Sequence, residues 1–218
     1  MRAATFLLVC ALAVSALLLN AWYKPFSSVQ AYGRVGVLAA EGDPLQFQVA
    51  DLLRHALLKD GQRWPRPAYE SAVEAITGVV QRHHYSPALV LSLIHHESRF
   101  HLEAVSSAGA LGLTQLLPST AALVARGEGM PPPSRRDLFD PATNIALGFA
   151  YLADLEGHYG SRDMALTAYN GGPEILLAAV GSELPLAGYR TAIYAGESDY
   201  GRWLKSPARI VLGADLPR

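Results

Sequence analysis

Cysteine, net charge and basic clusters are what this sequence has least of. Cys10 is the only cysteine among the 218 residues, which excludes an intramolecular disulfide and zinc sites built on paired cysteines. The 18 Lys and Arg residues nearly balance the 19 Asp and Glu residues, for a formal net charge of −1, and they form no basic run. The sequence therefore gives no electrostatic case for a nucleic-acid partner, which would need a clustered basic face.

Apolar residues make up 50% of the chain, and the excess is concentrated at the N-terminus. No residue from Ala3 to Trp22 carries a charge, and 20 helical residues span roughly 30 Å, the thickness of a bilayer's hydrocarbon core. Arg2 favours a cytoplasmic N-terminus. Two fates stay open: the small residues at 14–16 suit a cleaved signal peptide, whereas the aromatic and basic flank at 22–24 suits an uncleaved anchor.

The rest of the chain is dominated by helical periodicity and contains no convincing alternating strand. Apolar spacing, Pro residues and capping residues predict helices over 45–59, 68–83, 87–100, 118–126, 141–158, 161–170 and 173–180. Residues 106–114 are small and Gly-containing, which predicts a turn or small hairpin. We predict residues 1–23 as a signal peptide or signal anchor, 24–67 as a linker or small membrane-proximal subdomain, 68–205 as the main domain and 206–218 as a tail.

The apolar face of the predicted helix 87–100 carries one acidic residue. Its members are Leu89, Leu93, Glu97 and Phe100, at spacings of three and four residues. Burial among such neighbours raises the pKa of a carboxyl, which is what a general acid needs at neutral pH. The pattern leaves open that Glu97 instead reaches solvent or pairs with Arg99 at the helix end.

Three separated motifs give the chain a family resemblance. They are E-S-R-F at 97–100 with A-G-A-L-G-L at 108–113 and Gln115, D-P-x-x-N-I at 140–145 with Gly148, and A-Y-N-G-G-P at 168–173. In this order, over roughly residues 68–180, they resemble the SLT-type lytic transglycosylases, relatives of goose-type lysozyme that cleave peptidoglycan. The resemblance makes residues 68–205 a catalytic domain.

This resemblance implies a mostly α, lysozyme-like α+β fold with a small turn or hairpin beside the catalytic helix, preceded by the N-terminal hydrophobic helix. It implies that Glu97 is the single catalytic acid/base and that the MurNAc to GlcNAc β-1,4 bond is cleaved with formation of 1,6-anhydro-MurNAc, without metal or cofactor. Ser106 and Gln115 would line the cleft and bind sugar groups. Tyr169 would orient the carboxylate of Glu97, and Asn170 would secure the local backbone.

The resemblance, the apolar N-terminal segment and the short linker after it together set expectations for location and partners. A periplasmic or cell-envelope protein would be anchored in the inner membrane or secreted after signal cleavage, with peptidoglycan strands as its substrate. The apolar N-terminus would contact the membrane, and an envelope-spanning secretion or conjugation apparatus is a hypothetical partner.

The chain departs from the family pattern at several positions. Leu102 stands where the family commonly has Pro, and Thr114 and Leu117 stand where it commonly has Met. The family's last motif places a Glu-Thr pair shortly before a Tyr. Tyr189 lacks that pair. In the run Glu197-Ser198-Asp199-Tyr200, the spacing before the Tyr is one residue shorter than in the family motif. The sequence therefore leaves the far wall of the cleft unassigned.

Three alternatives compete with the transglycosylase hypothesis. A zinc hydrolase would need its second His four residues after the first, whereas His96 and His101 are five apart. A non-catalytic wall-binding scaffold would most simply have lost its acid, and Glu97 is present. Lysozyme-like hydrolysis of the same bond is the nearest alternative, since an acid from a distant segment, such as Asp137 or Asp140, would supply the second carboxylate of an ordinary glycosidase.

Overall fold

The computed structural model describes residues 43–178 and 183–206. The apolar segment predicted to contact the membrane lies outside these ranges, and no helix within them is long and apolar enough to cross a bilayer. The described chain is mostly helical, without a regular strand. Its α-helices are α1 Pro44–Lys59, α2 Arg66–His83, α3 Pro87–Ser98, α4 Pro118–Gly127, α5 Pro141–Tyr159, α6 Arg162–Gly171, α7 Glu174–Ala178 and α8 Ala187–Leu204, with a short 3₁₀ turn at Asp137–Phe139.

Three helices begin with a capping side chain followed by proline. The side chains of Asp43, Ser86 and Asp140 each accept a hydrogen bond from a backbone N–H in the first turn of α1, α3 and α5. Proline follows each cap, where its missing N–H costs nothing and its fixed φ suits the helix. These local signals explain why the starts of α3 and α5 match the prediction from sequence.

One large core holds most of the helices together. Its fully buried members include Leu52 and Leu53 of α1, Ile76 of α2, Leu89 of α3 and Phe149 of α5. A smaller core lies under α4, where Ala121 and Ala125 pack against Leu111, Leu138 and Leu147. Because α1 shares the large core, the folded unit includes residues upstream of the predicted boundary at 68.

The structure differs from the prediction at two helices. α3 ends at Ser98 and not at Phe100, because Arg99 and Phe100 both adopt left-handed backbone conformations, with φ of 47° and 60°. α8, with 18 residues, was not predicted at all. Residues 104–117 form a series of turns with two isolated antiparallel bridges, Val105 to Leu111 and Leu111 to Leu116, where a turn or small hairpin was expected.

Candidate active site

Glu97 lies one residue before the end of α3, on the side that faces α8. The hydroxyl of Ser98 donates to the carbonyl of Ile94 at 3.0 Å, and the N–H of Arg99 donates to the carbonyl of His95 at 2.8 Å. These bonds complete the last turn before the left-handed residues end the helix. Glu97 is half-buried, whereas Arg99 is exposed, and no ion pair joins them among the described residues.

The carboxyl of Glu97 is buried and, among the described residues, held by one hydrogen bond. The phenol of Tyr189 donates to Oε1 at 2.6 Å. Burial raises the pKa of Glu97 to about 7, and the hydrogen bond from Tyr189 opposes this rise by stabilising the ionised form. Burial is the larger effect, so near neutral pH the group can both donate and accept a proton.

Packing between α3 and α8 places Tyr189 against Glu97. The two helices are antiparallel, since the hydroxyl of Ser92 donates to the carbonyl of Ile193 at 2.6 Å, one turn beyond Tyr189. A Cβ at Gly196 would lie 2.2 Å from Oγ of Ser92, so glycine permits this close approach. Tyr189, which the sequence left unassigned because it lacks a preceding Glu-Thr pair, is therefore the phenol that contacts the carboxylate.

Tyr169, the residue expected to orient Glu97, makes a different hydrogen bond. Its phenol donates to the carbonyl of Thr114 at 2.8 Å. Burial raises the pKa of Tyr169, and the charge of Glu97 raises it further, but no hydrogen bond joins the two side chains among the described residues. Tyr169 thus ties α6 to the loop 104–117, and Tyr189 holds the acid.

Two predicted binding residues shape that loop. Oγ of Ser106 accepts from the N–H of Ala110 at 3.0 Å, which closes the turn. The side-chain amide of Gln115 donates to the carbonyls of Gly112 at 2.8 Å and Ala104 at 3.3 Å. Both side chains are half-buried. Their fixed orientations leave the Ser106 hydroxyl proton and Oε1 of Gln115 as groups that can meet a ligand.

The loop is anchored to α5 by the fully buried Asn144. Its Nδ2 donates to the carbonyls of Leu111 and Leu138, each at 2.9 Å, and its Oδ1 accepts from the backbone N–H and the hydroxyl of Thr114, each at 2.8 Å. Gly112, at φ +71°, is required here because a Cβ would lie 2.3 Å from the carbonyl oxygen of Leu138. The motif residue Asn144 therefore positions the loop from beneath.

Asn170, the last predicted site residue, is exposed on the final turn of α6. No hydrogen bond of its side chain is recorded within residues 43–178 and 183–206. The structure thus joins Tyr169 to the loop that carries Ser106 and Gln115, and it joins Glu97 to Tyr189. The local-backbone role expected for Asn170 stays a prediction.

The acids considered as second carboxylates are engaged elsewhere. Asp137 accepts from the N–H of Ser134 at 2.8 Å, and Asp140 caps α5 by accepting from the N–H of Thr143 at 2.9 Å. Glu103 is exposed. Within the described chain, no hydrogen bond or ion pair joins a second carboxylate to Glu97, whose side chain bonds to Tyr189.

The histidines in and near α3 each contact a different partner. His95 lies 2.9 Å from a carboxylate oxygen of Asp60, the ring of His96 meets Tyr189 edge to face at 4.9 Å, and a ring nitrogen of His101 lies 3.2 Å from the amide of Gln62. No group of three or more His, Cys, Asp or Glu residues in the described ranges could hold a metal ion.

Comparison with known proteins places this geometry in a family. Residues 74–185 match the family model for the transglycosylase SLT domain. A putative soluble lytic murein transglycosylase of Haemophilus influenzae is 40% identical over 100 residues, which are 45% of this chain and 17% of that protein. The membrane-bound lytic murein transglycosylase C of Salmonella paratyphi B is 34% identical over 171 residues, covering 65% of this chain and 47% of the relative. The chain thus spans less than half the length of these curated relatives.

Solved structures agree with the sequence comparison. An inactive glutamate-to-glutamine mutant of the lytic transglycosylase Slt from Pseudomonas aeruginosa superposes with a TM-score of 0.55 at 27% identity, over 63% of this chain and 25% of that one. The 70 kDa soluble lytic transglycosylase of Escherichia coli gives a TM-score of 0.56 at 18% identity, over 83% of this chain and 34% of that one, and supports the fold alone. With the SLT model matching over half of its length, this chain belongs to the family of SLT-type lytic transglycosylases.

Proposed function

We propose that the chain is a peptidoglycan lytic transglycosylase that cleaves the β-1,4 bond between MurNAc and GlcNAc and leaves 1,6-anhydro-MurNAc ends. The observation that carries the proposal is the carboxyl of Glu97, whose pKa burial raises to about 7 and to which no second carboxylate bonds among the described residues. Relatives named as lytic murein transglycosylases support the substrate class.

The chemistry needs only one protein group that releases and recovers a proton. Protonated Glu97 gives its proton to the glycosidic oxygen while the bond from that oxygen to C1 of MurNAc breaks. The resulting carboxylate then takes the proton of the C6 hydroxyl of the same sugar, whose oxygen bonds to C1. Glu97 ends protonated and no water is consumed, so the products balance the substrate.

Tyr189 suits both halves of this cycle. Its hydrogen bond keeps the carboxyl in one orientation, and it stabilises the carboxylate formed after the first transfer. Without this bond, burial alone would drive the pKa of Glu97 higher and make the acid a poorer proton donor. Ser106, Gln115, Tyr169 and Asn170 are proposed to contact the glycan around this centre, with Ser106 and Gln115 offering hydrogen bonds from the loop.

The test compares the full-length protein, purified in detergent, with two glutamine variants on purified sacculi. Mass spectrometry should find anhydro-muropeptides released by the wild type and by Glu103→Gln, the exposed control. Glu97→Gln should abolish release and keep its circular dichroism spectrum. Products with reducing ends would instead establish hydrolysis. Binding to sacculi without release by the wild type would establish the scaffold alternative.

We further propose a cell-envelope location, with the N-terminal segment anchored in the inner membrane or removed as a signal peptide. A membrane-bound relative supports the envelope. Opening the wall locally for a secretion or conjugation apparatus is the accompanying hypothesis. A tagged protein should form foci and co-purify with such an apparatus, and an even distribution around the envelope without a partner would refute it.

A further inference from the structure

Arg190 follows Tyr189 on α8 and makes contacts that reach well beyond its own helix. Its Nη1 donates to Oγ1 of Thr167 on α6 at 2.8 Å and to the carbonyl of Pro185 at 2.5 Å, and Nη2 donates to the carbonyl of Leu184 at 3.5 Å. The half-buried guanidinium thereby joins α6, the turn before α8 and the first turn of α8.

These partners are all uncharged, whereas the arginines in the surface ion pairs of the protein contact carboxylates. No carboxylate forms an ion pair with it in residues 43–178 and 183–206, and its charge does not contribute to the pKa of Glu97. A cation in the first turn also meets the positive end of the helix dipole, which is unfavourable, and α8 has no side-chain cap there. Arg190 is therefore poorly placed to stabilise α8 itself.

The hydrogen bond from Arg190 to Thr167 connects α6, which carries Tyr169, with α8, which carries Tyr189. Thr167 precedes Tyr169 by two residues on α6, and Arg190 is adjacent to Tyr189 on α8. Thr167 is fully buried, and its hydroxyl proton goes to the carbonyl of Asp163 at 2.7 Å. Oγ1 therefore accepts from the guanidinium through a lone pair, and the hydroxyl's own bond to Asp163 sets the direction of that lone pair.

We propose that Arg190 is a positioning residue that ties the start of α8 to α6 and so keeps Tyr189 within hydrogen-bonding distance of Glu97. The inference rests on the proposed role of Glu97 as the general acid. It follows that loss of the guanidinium frees Tyr189 to move, weakens its bond to the carboxylate and thereby raises the pKa of Glu97, as removal of the phenol would.

The first test measures rates for full-length Arg190→Met, which keeps the apolar stem and loses every donor. We expect kcat to fall about tenfold with little change in KM, because small displacements around a reacting group are costly. The basic limb of the pH profile should move upward, as it should in Tyr189→Phe. In the Tyr189→Phe background, Arg190→Met should add less than twofold. Arg202→Met, at the far end of α8, is the matched control and should match the wild type.

A second variant and a second readout keep the inference testable if Arg190→Met does not fold. Thr167→Val removes the acceptor on α6, together with the bond from that hydroxyl to the carbonyl of Asp163 within the same helix, and should reproduce the kcat loss and the shifted basic limb. NMR titration of the Glu97 carboxyl needs no turnover, and the pKa should rise in Thr167→Val and Arg190→Met but not in Arg202→Met.

Two results would overturn the role of Arg190. One is an equal loss of kcat from Arg190→Met in the wild-type and Tyr189→Phe backgrounds, and the other is an unchanged Glu97 pKa in both Arg190→Met and Thr167→Val. Full activity of Glu97→Gln would instead refute the proposed function, and the titration would still report on Arg190.

Discussion

Replacing Glu97 by glutamine should stabilise the protein above neutral pH, even though it should abolish activity. An ordinary glutamate in the unfolded chain ionises near pH 4.5, whereas burial raises the pKa of Glu97 in the folded state to about 7. Between these values the unfolded state has lost the proton that the folded state still holds, so stability falls as pH rises. Glutamine has no proton to lose and keeps an oxygen that can accept from Tyr189.

The size of the effect follows from the difference of about 2.5 pKa units. At about 1.4 kcal/mol per unit, the upper limit is about 3.5 kcal/mol, which partial solvent exposure of Glu97 reduces to about 2 kcal/mol. The free energy of unfolding that Glu97→Gln gains over the wild type should be smallest near pH 5 and should reach its full size by pH 8. For a chain of this size, this corresponds to a gain in Tm of about 4–8 °C.

The measurement is thermal or urea unfolding of the wild type, Glu97→Gln and Glu103→Gln between pH 5 and pH 8.5. Glu103 is exposed, so its variant should run parallel to the wild type across this range. A difference between Glu97→Gln and the wild type that does not grow with pH would show that the carboxyl is not held protonated by burial. That result would remove the main electrostatic support for Glu97 as an acid.

Two further substitutions test the supports of the site. Asn144→Ala should lower the free energy of unfolding by about 3 kcal/mol or more, because the buried backbone groups of Leu111, Thr114 and Leu138 lose their partner; urea unfolding showing a loss below about 1 kcal/mol would contradict this. Trp64→Phe removes one hydrogen bond of 2.8 Å to the carbonyl of Phe100 and should cost about 1 kcal/mol, seen as a Tm lowered by about 2–4 °C. An unchanged Tm would show that the segment upstream of the SLT match does not hold the end of α3.

Much of the helical framework could be predicted from sequence because its signals are local. Ser86 with Pro87 and Asp140 with Pro141 mark helix starts through contacts within one turn. Residues 88–94 of α3 are all buried because the helix lies deep in the core, and Glu97 follows this run near the end of the helix. The position of the acid was therefore visible without the fold.

Other features were not predicted because their causes are distant in sequence or leave weak patterns. α8 buries only Tyr189, Ile193 and Tyr200 among its described residues. Too few apolar residues therefore recur at helical spacing for the sequence to predict this helix. The left-handed residues after Ser98 are favoured by packing, since Phe100 is fully buried and its carbonyl accepts from Trp64. Neither left-handed residue is a glycine, so no local signal marks that conformation.

The sequence by itself determined the family and the helix that carries Glu97, because motifs and helical periodicity depend on residues that are close together in the chain. It left open whether the carboxyl of Glu97 is buried, which the tertiary structure decided. Only the tertiary structure decided which phenol holds the acid. Tyr169 and Tyr189 are both tyrosines near the end of the domain, and the choice depends on the antiparallel packing of α3 and α8, where Ser92 meets Gly196. That packing brings together residues 92 positions apart, and such a contact leaves no periodic trace along the chain.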